Sequence, residues 1–289
     1  MKKIVILGCE NSHANKFLAK IAEGGEFGDI EVIGIYSDEL ESAKKLNEQY
    51  GAPIMESYDE AVGKVDGVII TARHGANHYK YAKPYIASGV PMFIDKPITI
   101  TEEEVTLFMR ELKENGIRVS GGSSLKHTDE VLLLKSEHEN EVGGATISGF
   151  AQAPLNVYEE YGGFYFYAQH LVEMILEVYG RFPISVTAKQ NGKQIHTIFH
   201  YENFDCMGLY SSACSRYHLS RISMESCKSC AYNGLGDSFV REFGEFKNLL
   251  DGGEQRMSFE EFASPVFVMN AIKRSIESGK EEPVGRLVL

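Results

Sequence analysis

The chain has 289 residues, of which 43% are hydrophobic and 24% charged, with a formal net charge of −12. That length suits two domains that each bury a core, and the acidic balance argues against nucleic acid, whose phosphates require a basic face. No apolar run approaches the roughly 18 residues that span a bilayer, so no membrane partner is expected.

The opening Met-Lys-Lys-Ile-Val-Ile-Leu-Gly has two lysines before a short apolar run. It lacks the length and the small-residue cleavage site of an export signal, so it reads as a first buried strand and the expected compartment is the cytoplasm. After the strand Lys3–Leu7, the residues Ala14, Phe17, Leu18, Ile21 and Ala22 fall on one helical face. Glu31–Tyr36 reads as a second strand, followed by Leu40, Ala43 and Leu46 at helical spacing. Val65–Thr71 and Met92–Ile94 read as further buried strands. Thr101 and Glu104 have the form of a capping box ahead of the stripe Val105, Phe108, Met109 and Leu112, with Gly116 as a stop. Ile117–Ser120 closes the set. Strands that alternate with helices imply a parallel sheet covered on both faces, hence a doubly wound Rossmann-type domain over residues 1–121.

Gly121-Gly-Ser-Ser124 reads as a small, flexible and polar domain boundary. In the second domain, residues 122–289, the segments Ala145–Ala151, Ser185–Lys189, Gln194–His200 and Met207–Ser212 read as strands of a largely antiparallel open sheet. Helices are expected at about 166–178, 239–250 and 263–278, the closing pair free to pack back on the first domain. Together these make an α/β chain with an α+β second domain. The five cysteines, Cys9, Cys206, Cys214, Cys227 and Cys230, form no even disulfide framework. Cys227 and Cys230 have metal or redox spacing, but no second pair completes a zinc site, so a structural role and no metal are expected.

The first turn, Gly8-Cys9-Glu10-Asn11-Ser12-His13, lies where dinucleotide folds carry glycines at the first, third and sixth positions. Only Gly8 is kept. Glu10 brings a negative charge to the approach of the diphosphate, so its removal is expected to tighten binding, and His13 replaces a small residue. The same turn is open to a plainer reading, a strand-to-helix turn with Ser12 as N-cap. Ser37 and Asp38 end the second strand, near where an acid holds the adenosine ribose; Asp38 is equally read as a helix cap. No arginine follows Asp38 to receive a 2′-phosphate, which favours NAD over NADP.

A more specific pattern follows. Ala87-Ser-Gly-Val-Pro-Met-Phe-Ile-Asp95-Lys96-Pro97 resembles the Glu-Lys-Pro signature of the glucose–fructose oxidoreductase / inositol dehydrogenase / MocA family, with Asp95 in place of glutamate. The loop Thr71-Ala-Arg73-His74-Gly-Ala-Asn-His78 resembles that family's Thr-Pro-Asn-x-x-His loop, two residues longer and without the proline. Gly121–Lys126 and Gly162–His170 fall where further family motifs lie, and the two last helices match in order. The resemblance implies an NAD(P)-binding Rossmann domain, with Thr71, Arg73, His74, His78, Asp95 and Lys96 at the strand exits facing the cofactor. It also implies hydride transfer at a secondary alcohol of a small sugar, polyol or derivative, and a homodimer or homotetramer formed through the C-terminal sheet.

In such a reaction Lys96 would hold the substrate oxygen, and His170, an imidazole that titrates near neutrality, would move the proton. The family's aspartate falls on Phe166, which can do neither. Tyr167, three residues before His170, is a candidate donor in its place. His13, His74 and His78 lack the spacing of a metal site. The departures at Glu10 and Phe166 keep a rival reading open: a non-catalytic descendant that binds a metabolite or a partner.

Overall fold

The computed structural model describes residues 1–232 and 235–289. Five short parallel strands form the first sheet: β1 (Lys2–Leu7), β2 (Ile30–Tyr36), β3 (Gly67–Ile70), β4 (Met92–Asp95) and β5 (Val119–Gly122). They are ordered β2-β1-β3-β4-β5. The order reverses at β1, so the crevice outside the C-terminal ends of β1, β2 and β3 is the place where such sheets take ligands. The crossover helices are α1 (Ser12–Glu23), α2 (Leu40–Tyr50), α3 (Ala76–Ile86) and α4 (Glu102–Glu114). Thr101 caps α4, its hydroxyl accepting from the Glu104 amide at 3.1 Å, but the Glu104 carboxylate returns no bond to Thr101, so only half of the expected capping box forms.

The expected flexible boundary is instead interior backbone. β5 runs on through Gly121 and Gly122, and residues 119–128 are almost all buried. At Gly121, with φ +123°, any side chain would collide with the Ile94 carbonyl. A glycine is required there because two strands approach closely, not because the chain bends freely.

The second sheet contains β6 (Thr146–Ala153), β7 (Ser185–Asn191), β8 (Gln194–His200), β9 (Asp205–Ser211), β10 (Tyr217–Ser223), β11 (Cys227–Tyr232) and the short β12 (Glu282–Pro283). Its order is β11-β10-β6-β9-β8-β7-β12, and its pairings are antiparallel except for β6 with β9. α5 (Asp129–Glu139), α6 (Tyr165–Tyr179) and α8 (Phe259–Ser278) lie against it. On the face turned away from these helices, Phe150, Met207 and Ile198 pair across three strands as an apolar row, with Met207 46% exposed. Cys227 and Cys230 lie on β11 as free thiols. Three apart on a strand, their side chains point to opposite faces.

α7 (Ser238–Leu250) packs back on the first domain, stacking Phe243 on Phe17 (4.6 Å) and on Phe27 (4.5 Å). α8 is tied to the start of α4 by Arg274 and Glu102 at 2.6 Å. Beneath the second sheet, buried Glu173 and Glu177 of α6 are neutralised together. Arg181 bridges both, Lys135 and Arg256 each approach Glu177 at 2.8 Å, and Lys126 lies 3.9 Å from Glu173. Among the described residues no helix is long and apolar enough to cross a membrane.

Candidate active site

A cavity of about 530 Å³ opens where the two domains meet, lined by the start of α1, Lys96, the start of α6 and the segment Asn156–Tyr161. The two parallel-sheet elements bring their residues here because β-strands end at this edge. Gly8 leaves β1 with φ +77°, and a Cβ on it would sit 2.4 Å from the Ala72 backbone, so the turn passes tight against the β3 exit. Thr71 fixes that approach by donating to the Gly8 carbonyl at 3.0 Å.

Asn11, not Ser12, is the N-cap of α1. Its side chain does not cap the helix but donates to Asp95 Oδ2 at 2.8 Å. With no capping side chain and no acid in the first turn of α1, the amides there remain available to an anion. This cradle fits the diphosphate of a dinucleotide. Glu10 leaves it clear: its carboxylate turns aside to accept from Ser37 Oγ at 2.7 Å and from the Arg73 amide at 3.0 Å. Asp38 accepts one hydroxyl on each oxygen, from Tyr36 at 2.6 Å and from Tyr81 at 2.7 Å. The N-cap of α2 is Glu39, so Asp38 does not cap that helix.

Asp95 and His78 lie in the interior rather than on the cavity wall. Asp95 is fully buried and lies 2.9 Å from His13 Nδ1, while His13 Nε2 lies 3.4 Å from buried Glu242 of α7. Burial alone would discharge His13, but the two carboxylates outweigh it, led by Asp95, and raise its pKa to about 9. His13 is therefore an imidazolium holding α1 to both β4 and α7. His78 is wholly buried, its ring nitrogens 2.8 Å from the Ala72 carbonyl and 3.2 Å from that of Ile98. It ties the β3 and β4 exits together. His74 accepts from the Ala76 amide at 3.2 Å, at the start of α3.

Lys96, Tyr167 and His170 do line one cavity, together with Phe166. The Lys96–Pro97 peptide is cis. The Lys96 ammonium donates to the Phe166 carbonyl at 3.2 Å and stands 4.5 Å above the Phe166 ring, an arrangement that favours the cation. Burial nonetheless lowers its pKa, with Asp95 opposing. His170 Nδ1 lies 2.6 Å from Ser123 Oγ. Burial, then the charges of Lys96 and His13, hold this imidazole well below its ordinary pKa, so it is neutral. Ser123, Glu242 and Tyr161 were not singled out from the sequence. Tyr161 reaches from the second domain across the crevice, accepting from Arg73 at 2.8 Å and donating to Glu39 at 3.1 Å.

Residues 2–123 match the family described as an oxidoreductase family with an NAD-binding Rossmann fold, the Gfo/Idh/MocA group. A glucose-6-phosphate 3-dehydrogenase of Bacillus subtilis is 23% identical over 139 residues, 47% of this chain and 37% of that protein. Three solved structures share the whole architecture. A myo-inositol dehydrogenase from Corynebacterium glutamicum has a TM-score of 0.81 at 17% identity, covering 99% of both chains. The GenD2 protein of gentamicin A biosynthesis, in complex with NAD, has 0.85 at 15%, covering 98% of this chain and 96% of that one. The WlbA dehydrogenase of Bordetella pertussis, in complex with NADH and UDP-GlcNAcA, has 0.83 at 15%, covering 98% of each. The structural likenesses establish the fold. The family match is confined to the first domain, which is similar to this oxidoreductase family.

Proposed function

We propose that this chain is a nicotinamide-dependent oxidoreductase that exchanges hydride with a secondary alcohol of a small sugar, polyol or derivative, and that it prefers NAD to NADP. The observation that carries the reading is that Lys96 and His170 line one cavity that also reaches the uncapped start of α1. Similar proteins named for inositol and for a sugar phosphate, and one solved with UDP-GlcNAcA bound, point to the same class of alcohol.

When bound, the nicotinamide accepts or returns the hydride. The protein's part is to place the carbinol and to move its proton. The Lys96 ammonium has donors beyond the one given to Phe166, and these would hold the substrate oxygen and favour its developing negative charge. Neutral His170 would give its Nδ1–H to Ser123 Oγ, 2.6 Å away, and turn the Nε2 lone pair toward the cavity to take the hydroxyl proton. Phe166, Tyr158 and Tyr161, with ring centroids 5.3–6.2 Å apart, supply an apolar wall against which a sugar ring would stack. Tyr167, whose ring centroid lies 5.1 Å from that of His170, would supply a second donor to the substrate. In the assembled enzyme the row Phe150, Met207 and Ile198 would meet a second copy, giving a homodimer or homotetramer in the cytoplasm.

Fluorescence titration with NADH and NADPH tests the reading, followed by NAD reduction assays over inositols, hexoses, hexose phosphates and nucleotide sugars. Saturable NADH binding at micromolar levels and turnover of one such class are expected. Absence of dinucleotide binding up to millimolar concentration would assign the chain to the non-catalytic reading.

A further inference from the structure

We infer that Glu10, rather than Asp38, is the carboxylate that receives the adenosine ribose hydroxyls and sets the preference for an unphosphorylated 2′ position. The inference rests on the dinucleotide reading above.

Dinucleotide folds place the ribose acceptor at the end of the second strand. Here the residue that follows β2 is Ser37, which is no acid, and Glu10 Oε2 lies against its hydroxyl at 2.7 Å. The other oxygen, Oε1, takes the Arg73 amide at 3.0 Å. The carboxylate therefore stands over the ends of β1, β2 and β3 together, at the reversal of strand order. It starts from the β1–α1 turn and reaches the position that an acid at residue 37 would fill. Each of its oxygens has a second lone pair, enough for a vicinal diol.

Asp38 is differently committed. Like Glu10 it accepts one bond on each oxygen, but from the hydroxyls of Tyr36 and Tyr81, and Lys80 stands 4.0 Å away, so the group is turned toward Tyr36 and α3 rather than over the β1 and β3 ends. The burial of Asp38 opposes its charge, but the two phenols and Lys80 outweigh it and lower its pKa. The neighbouring cation is committed as well: the Arg73 guanidinium donates to Tyr161 and lies 3.9 Å from Glu39. A 2′-phosphate beside Glu10 would meet like charge, with that guanidinium directed elsewhere.

Titration of the full chain with NADH and NADPH separates these roles, comparing wild type with Glu10→Gln, Asp38→Asn and Ser37→Ala. Circular dichroism melts verify that each variant folds. Wild type is expected to bind NADH more tightly than NADPH. Glu10→Gln should weaken NADH by about tenfold or more, as expected for loss of charge-assisted bonds, and should narrow the NADH/NADPH ratio. Ser37→Ala, which unfastens the carboxylate, should do so to a smaller extent, and Asp38→Asn should leave both affinities in place. Tighter NADH binding by Glu10→Gln would make Glu10 a barrier and unchanged binding would make it a bystander, and either would end the proposal, as would a loss carried by Asp38→Asn. Wild type that binds NADPH at least as well as NADH would also end it. If wild type binds neither dinucleotide, the functional reading falls with it; if it binds NADH and Glu10→Gln is indifferent, only this inference falls.

Discussion

The hydroxyl of Ser123 lies 2.6 Å from Nδ1 of His170, inside the protein and behind the cavity wall. The same oxygen accepts from the Leu125 amide at 3.3 Å. A neutral hydroxyl thus takes the place at the imidazole that a carboxylate at position 166 would dispute. It can orient the ring without charging it. Replacing Ser123 by alanine leaves a buried ring nitrogen unpaired, at a cost of about 1–3 kcal/mol. Turnover should fall while the KM for the nucleotide holds. Nitrogen-15 spectra of labelled histidine should pass from one dominant tautomer to a mixture. An unaltered spectrum and unaltered turnover would remove Ser123 from the mechanism.

Phe166→Asp provides the converse test. His170 is held well below its ordinary pKa by burial first and by Lys96 and His13 next. A carboxylate one turn away on α6 favours the imidazolium, so the base limb of the pH–rate profile should rise by about one unit or more. Profiles recorded on a known substrate from about pH 5 to 9 bracket the free imidazole value. A limb that stays in place, or moves down, would exclude His170 as the titrating group.

Lys96→Ala should reduce turnover by about 100-fold or more, the usual consequence of losing one preorganised donor at a developing oxyanion. Nucleotide affinity should change little. The comparison with Lys96→Arg is informative, because a planar fork cannot stand as a point charge 4.5 Å over the Phe166 ring while donating to that residue's carbonyl. Near-normal turnover in Lys96→Ala would assign the lysine to packing.

His13 makes a pH-dependent contribution to stability. Its pKa in the folded chain is raised to about 9 from an ordinary 6.5. The contribution is therefore whole below pH 6.5 and is lost as the pH rises through about 9. It should amount to a few kcal/mol, on the order expected for a fully buried pair. Urea unfolding between these limits should show stability falling in wild type, and a flatter profile in His13→Gln. Parallel profiles would mean that His13 is not the group responsible.

The outer face of the second sheet offers the test of assembly. Met207→Asp introduces a charge in the middle of the row Phe150, Met207 and Ile198. Sedimentation should show wild type as a dimer or tetramer and the variant as a monomer with unchanged circular dichroism. A wild-type monomer, or a variant that still assembles, would place the contact elsewhere or remove it.

The first sheet was legible because its buried strands are unbroken apolar runs, such as Gly67–Ile70 with all four residues buried, and because β1, β2 and β4 lead into helical periodicity; α3, with Pro84 inside it, carried no such mark. The later strands were harder. β10 and β11 carry Ser220, Arg221, Lys228 and Ser229 among few large apolar residues, and so lack the pattern that marks a strand. α5 escaped because Val131, Leu132, Leu133 and Leu134 run consecutively, with Leu133 42% exposed, instead of falling on one face. At the site, Lys96, Tyr167 and His170 carried a local pattern and share the cavity. Their supports did not. Ser123 sat within a segment read as a domain boundary, and the partners of His13, Asp95 and Glu242, lie 82 and 229 positions along the chain. Asp95 meets His13 only once the parallel sheet has formed, and Glu242 only when α7 packs back on the first domain, so no local spacing announces either pairing.

The cluster beneath α6 has a consequence for how the chain can change over generations. Glu177 alone is shared by Arg181, Arg256 and Lys135. Loss of one partner from a buried ion group costs about 3–5 kcal/mol, a large part of the roughly 5–15 kcal/mol that keeps a domain folded. A replacement by apolar residues of matching volume is tolerated far better, but only when several positions alter together. Single-step mutation therefore runs into a valley at each of these sites. The cluster should pass from ancestor to descendant as one block.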